Sequence, residues 1–293
     1  MAHFYASSPD DAITRSSSWS SFSSSYSNSS AKTVWYDCVD STMDRAKDYI
    51  KELKENDDKF INKIEAPDED YFVIMAGEQS AGRGTNGRVW NSTAGNLFMT
   101  VGFKTSLIST PLQLTPLRIG TLIAPIISKY VNPSNVNQAE VKLKWPNDIL
   151  VNKKKISGIL IEIQNDYFLI GIGCNVLYAP KIQSTGTDSG RKATCIADYC
   201  MKDVLNMNSS KTIANDLGTH IADSVYKWVY DNHNDAGEFI VNDFSMQMDY
   251  SPKKLRDSQS SGTVTPLRVN PDGTLRVTTE AGLTKDLTTD YLF

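Results

Sequence analysis

Cysteine and histidine are scarce in this chain: four cysteines and three histidines in 293 residues. The cysteines (Cys38, Cys174, Cys195, Cys200) form no C-x-x-C pair and stand at no spacing from histidine that suits zinc. Free, mostly buried thiols in a reducing compartment, the cytoplasm, are the plain reading. No apolar run approaches the ~20 residues that span a bilayer, so no membrane partner is expected. A basic excess is missing too. Lys plus Arg number 30 against 34 Asp plus Glu, a formal net charge of −4 that argues against a dedicated nucleic-acid binder. Finally, residues 16–31 lack acidic side chains and almost anything that could anchor a core. Serine dominates there, and a disordered tail over residues 1–31 is favoured over an organelle transit peptide, because Arg15 is its single arginine and Asp10 and Asp11 break the transit pattern.

What remains is ordinary globular composition, 40% hydrophobic and 22% charged, in a length that suits about two domains. Its most informative stretch is Gly82 to Trp90, G-R-G-T-N-G-R-V-W, between the apolar runs Tyr71–Ala76 and Gly95–Phe103. Both runs are short and rich in β-branched and aromatic residues, as buried strands are. Glycine permits positive φ and close backbone approach, and arginine offers a planar fork of donors for carboxylate or phosphate. The loop is therefore suited to closing over an anionic ligand. A plain surface turn is the competing reading. Further on, Lys144–Asp148 reads K-W-P-N-D and Lys155–Leu160 reads K-I-S-G-I-L. A hairpin fits, with strands at Ile149–Val151 and Ile156–Ile163 and an exposed Lys155 at the head of the second. Gly158 inside that strand marks a place where a ligand or another backbone comes close. Gly171–Asn175, G-I-G-C-N, closes the run that begins at Tyr167.

These motifs, in this order, resemble the biotin–protein ligases (holocarboxylase synthetases) from about Val34 to the C-terminus. The resemblance implies an α+β fold: a mixed β-sheet with helices packed on one face, related to class II aminoacyl-tRNA synthetases, followed by a small SH3-like β-barrel. It implies a catalytic domain over 32–245 and the barrel over 246–293. In some bacterial relatives a winged-helix DNA-binding domain precedes the ligase. The first thirty or so residues leave no room for one, so no DNA partner is expected.

The implied chemistry joins biotin to ATP as biotinyl-5′-AMP, with magnesium managing the triphosphate, and then passes biotin to a lysine of an acceptor domain in a biotin-dependent carboxylase. Arg83 and Lys155 match positions that meet the biotin carboxylate and then the adenylate phosphate. Ser41, Thr42 and Gln79 match positions that bind the biotin head group and chain, with Met43, Gly84, Thr85 and Gly158 beside them. Arg88 and Trp90 match the far end of the loop, where they cover the adenylate with Asn147, and Asn175 matches a residue that bonds adenine. Asp148 is open between a base for the incoming lysine and a turn cap. No metal is assigned to protein side chains. Two departures stand out. Met43 replaces the asparagine of the common S-T-N triplet, and Thr85 replaces the second arginine of G-R-G-R. A lipoate–protein ligase and a non-catalytic biotin or adenylate sensor are the rival readings.

Local signals complete the expectation. Val34–Val39 reads as a strand, and Ser41 with Asp44 as a capping box that opens a helix to about Glu55. Residues 56–70 form a charged connection. Leu112–Val131 is helical, with Pro116 in its first turn and Pro125 kinking or splitting it. Glu140–Trp145 is a strand, and Gln183–Ser189 a loop. Ala193–Met201, Lys211–Tyr230 and Asp235–Phe244 are helical. A flexible break at Ser258–Gly262 precedes strands Val264–Val269 and Leu275–Thr279, joined by an Asp272-Gly273 turn.

Overall fold

A computed structural model describes residues 32–57, 70–132, 138–181, 192–200, 207–231, 236–256, 261–288 and 291–292. The serine-rich tail, most of the charged connection and the 183–189 loop lie outside these residues.

Seven strands form the main sheet. They are β1 (Lys32–Val39), β2 (Tyr71–Gln79), β3 (Leu97–Lys104), β4 (Val141–Lys144), β5 (Asp148–Val151), β6 (Lys154–Gln164) and β7 (Tyr167–Cys174). Their spatial order is β1-β2-β3-β7-β6-β5-β4, with β1 and β2 parallel and every other pair antiparallel. The sheet is mixed, as expected.

Both of its faces are apolar, because successive strand residues point to opposite sides. From β2, Tyr71, Val73 and Met75 enter the larger core with α2 (Thr115–Val131), α3 (Met207–Asp231) and α4 (Gly237–Gln247). The alternate residues, Phe72 and Ile74, join Tyr167 and Leu169 of β7 against α1 (Thr42–Asp57). Helices therefore cover both faces, which corrects the one-faced expectation. The period-2 pattern of Y-F-V-I-M-A had no polar side to leave open.

Three local expectations also change. Helix α2 runs through Pro125 as one element, so of the expected kink or split the split does not occur; Pro116 sits in its first turn. Pro125 lies on the exposed side while Ile123, Ala124 and Ile127 are buried around it, so packing on either side carries the helix across. Of the stretch Ala193–Met201, the described residues 193–200 yield only a 3₁₀ turn, Ile196–Asp198, and Met201 lies outside them. Its polar groups bond elsewhere: Lys155 N donates to Lys192 O, Thr194 N to Lys155 O, and Thr194 Oγ1 to Asp198 Oδ2 at 2.7 Å. The Ser41–Asp44 capping box does not form either. Ser41 N donates to Asp40 Oδ1 at 2.7 Å, and the Asp44 carboxylate is taken by Arg83 at 2.9 Å.

The C-terminal strands β8 (Lys253–Arg256), β9 (Ser261–Val269), β10 (Leu275–Thr279), β11 (Thr284–Leu287) and β12 (Tyr291–Leu292) form an antiparallel sheet in the order β11-β10-β9-β8-β12. Gly273 (φ 85°) makes the expected turn between β9 and β10. Of the expected break, residues 261 and 262 already pair with β8, and 258–260 lie outside the described residues. β11 and β12 are open edges among the described residues, so the closed barrel is replaced by an open sheet. Leu255, Val264, Leu275 and Val277 belong to the same core as α2 and α4. Trp145 Nε1 donates to Gly273 O at 2.9 Å and Asp249 N to Leu143 O at 2.8 Å, fastening this sheet to the K-W-P-N-D strand.

Candidate active site

The Gly82 loop leaves β2 and is stitched to itself and, at its start, to the end of β1. Gly84 N donates to Arg88 O at 2.7 Å, Trp90 N to Gly82 O at 2.9 Å, and Ser80 N to Val39 O at 2.8 Å. Asn86 (φ 58°) and Gly87 (φ 70°) turn the chain at its tip. Gly82 admits no side chain, since a Cβ there would lie 2.2 Å from Ser92 Oγ and 2.7 Å from Trp90 O. This folding brings the Trp90 ring down onto Gly158 and Gly173, which pair across β6 and β7. The loop is a cover rather than a surface turn.

Beneath it runs a chain of hydroxyl and amide groups. Thr100 Oγ1 donates to Thr42 Oγ1 at 2.9 Å, and Thr42 N and Oγ1 donate to Gln79 Oε1 at 2.8 and 3.1 Å. Gln79 Nε2 then donates to Ser92 Oγ at 2.8 Å, and Ser92 Oγ to Trp90 O at 3.1 Å. The floor under α1 is thus tied to the loop. Met43, buried at 3% exposure, packs its sulfur toward Gly171, so a thioether fills the place of the missing amide.

Cations stand on two sides. Arg83 Nη2 meets Asp44 Oδ1 at 2.9 Å and Glu162 Oε1 at 3.5 Å. Lys155 Nζ contacts Asp148 Oδ1 at 2.5 Å, while Lys144 Nζ lies 3.5 Å from Asp148 Oδ2. The Lys155 side chain is only 20% exposed, against the expectation of an exposed strand-start lysine. Its ammonium lies 5.1 Å from the Trp90 ring centroid. Arg88 turns back on Thr85, Nε donating to the carbonyl at 3.0 Å and Nη2 to Oγ1.

These groups surround a cavity of about 450 Å³, on the sheet face that carries α1. It is lined by Ser41, Thr42, Met43, Gln79, Arg83 and Gly84, by Thr85, Arg88 and Trp90 of the loop, and by Asn147, Lys155, Gly158 and Asn175. Every expected site residue lines it except Asp148, which stands behind Lys155. Asn147 donates from Nδ2 to Ile159 O at 2.7 Å and fixes the strand edge. Sequence reasoning missed the glycine floor at Gly171 and Gly173, although G-I-G-C-N held the signal, and it missed Asp44, Glu162 and Lys144 as partners of the cations.

Two buried polar atoms of the wall, Trp90 Nε1 and Asn175 Oδ1, meet no partner among the described residues. A donor and an acceptor left unmatched in an apolar wall call for a ligand that supplies both complements. The neighbouring thiols offer no nucleophile, since burial pushes Cys174 up to about 12 and Cys195 up to about 11.

Residues 35–176 match the biotin/lipoate A/B protein ligase family. A biotin protein ligase from Leishmania major, solved in complex with biotin, is 30% identical and covers 87% of this chain and 97% of its own, with a TM-score of 0.55. The chain belongs to the biotin/lipoate A/B protein ligase family. Within that family, the biotin protein ligase of Aquifex aeolicus, solved with biotin and ATP, shares the fold at 22% identity, covering 89% of this chain and 98% of its own with a TM-score of 0.58. A curated biotin–[acetyl-CoA-carboxylase] ligase from Mycobacterium tuberculosis is 34% identical over 134 residues, 43% of this chain and 47% of that protein. The matched stretch thus spans about half the length of this curated relative. The family match over residues 35–176 holds the loop, both lysines and the glycine floor.

Proposed function

We infer that this chain is an ATP-dependent biotin–protein ligase, forming biotinyl-5′-AMP and transferring biotin to a lysine of a carboxylase acceptor domain. The cavity carries the reading: a cation from the loop and another from β6, a hydroxyl-lined end, and an indole over a glycine floor share one space. In the first step a carboxylate oxygen of biotin attacks the α-phosphorus of ATP, a phosphorus–oxygen bond forms, and pyrophosphate leaves. Negative charge builds on phosphate oxygens, where Arg83 and Lys155 stabilise it in a site shielded from water. Ser41, Thr42 and Gln79 suit the head group of biotin. Asn175 Oδ1 suits the amino group of adenine, and Trp90 suits its ring face.

In the second step a lysine amine attacks the acyl carbon, its proton is lost and AMP departs. That amine has an ordinary pKa near ~10.4, so deprotonation accompanies the attack. Asp148, with each oxygen against an ammonium group, acts by holding Lys155 in place. Magnesium would arrive on the ATP triphosphate; among the described residues no group of three or more His, Cys, Asp or Glu stands together to hold a metal. We read the segment 246–293, whose open sheet begins at Lys253, as an SH3-like module.

The test incubates purified protein with ATP and either biotin or lipoate, reading pyrophosphate release and transfer to a carboxylase acceptor domain. Release and transfer with biotin are expected. Turnover with lipoate alone would replace the substrate, and biotin binding without release would leave a sensor.

A further inference from the structure

Arg83 reaches the cavity from a loop, yet its charge is held from elsewhere. Asp44, in the first turn of α1, and Glu162, near the end of β6, both contact Nη2, at 2.9 and 3.5 Å. Neither carboxylate lines the cavity, whereas Arg83 does. Lys47, three residues after Asp44, closes the group on Glu162 at 2.6 Å. The sequence spacing explains the convergence. Asp44 and Lys47 share a helix face at i and i+3. Glu162 shares a strand face with Gly158 and Leu160, both of which line the cavity. Both contacts are made through Nη2, on a guanidinium that also lines the cavity.

We propose that Asp44 and Glu162 are positioning residues: from outside the cavity they fix the guanidinium of Arg83, and with it the closed state of the loop that carries Trp90. A single exposed ion pair holds little, but here four charges from helix, strand and loop form one network. The long arginine side chain is ordered before the ligand arrives, so less freedom is lost when the anion binds. The adenylate then stays under Trp90 until an acceptor lysine comes. This proposal rests on the ligase reading, yet it has a consequence that needs no ligand, because a loosened loop becomes accessible at its own arginines.

The experiment compares wild type, Asp44→Asn, Glu162→Gln and the double variant, each also in an Arg83→Gln background. Trypsin cleavage after Arg88 is timed in the ligand-free protein, and the rate of adenylate loss is timed in protein loaded directly with radiolabelled biotinyl-5′-AMP. The double variant should be cut, and should lose adenylate, about tenfold faster, equivalent to ~1.4 kcal/mol. Both effects should vanish in the Arg83→Gln background, since the carboxylates act through that side chain. Unchanged rates, slower adenylate loss, or an acceleration that persists without Arg83 would overturn the proposal. If wild type forms no adenylate, the ligase reading falls, and the trypsin comparison still decides whether the latch exists.

Discussion

The Cβ that Gly173 lacks would lie 2.5 Å from Cε2 of Trp90, so residue 173 sets how deeply the indole settles on the sheet. Alanine there cannot coexist with the ring where it stands. Gly173→Ala should lift Trp90 and raise the KM for ATP about tenfold or more, at an overpacking cost of ~1–3 kcal/mol relieved by movement of the loop. The hydroxyl-lined end of the cavity is untouched, so biotin affinity measured by calorimetry should stay within about twofold of wild type. Equal losses for both ligands would refute the division.

Thr85 anchors Arg88 through both its carbonyl and its hydroxyl. The residue that interrupts G-R-G-R thus holds in place the next arginine of the loop. Thr85→Val keeps the shape and removes the hydroxyl. Adenylate should leave the preloaded enzyme about tenfold faster, the ~1.5 kcal/mol of a hydrogen bond to a charged group. An unchanged off-rate would mean that the Thr85 carbonyl alone suffices.

Lys155→Met should lower the rate of pyrophosphate release by roughly 10²–10³-fold, the usual effect of losing one donor to a developing oxyanion. It should also cost stability, because Asp148 at 7% exposure loses its 2.5 Å partner. About 2 kcal/mol in the urea unfolding free energy is expected. Pairing it with Asp148→Asn should restore most of the stability and none of the activity. A double variant as unstable as the single would show that Lys155 and Asp148 are not coupled.

Acid should weaken the attachment of the C-terminal sheet. Burial pushes the Asp249 carboxyl up, but hydrogen bonds from Lys253 and Ser251 outweigh it and hold the group below the usual carboxylate range. A pKa lowered by folding adds stability above the unfolded value near ~3.9, and this is lost as pH falls through the folded value. Urea midpoints of wild type should drop more steeply than those of Asp249→Asn below about pH 4. Parallel curves would assign the acid sensitivity to other carboxylates.

The convergence of the motifs was legible in the sequence, because each cavity residue belongs to a short local pattern. Ser41-Thr42 opens a helix, Gln79 ends a strand, and K-x-x-G places Lys155 and Gly158 on one strand. What stayed hidden depends on register and on distant pairing. Gly158 faces Gly173 only because β6 and β7 align in that register. Asp44 looked like a capping partner for Ser41, since local spacing cannot reveal an arginine that arrives from residue 83. Lys155 looked exposed because a lysine at a strand head usually is, and nothing nearby announced a carboxylate already shared with Lys144. Pro125 warned of a break that packing on both sides overrode.

The bond from Trp145 to Gly273 joins residues 128 positions apart. It also sets the order of events during synthesis. A ribosome that has released all seven strands of the main sheet has not yet made the partner that holds the wall bearing Asn147. The wall of the cavity beside Asn147 is therefore fastened from outside only after the turn between β9 and β10 has emerged.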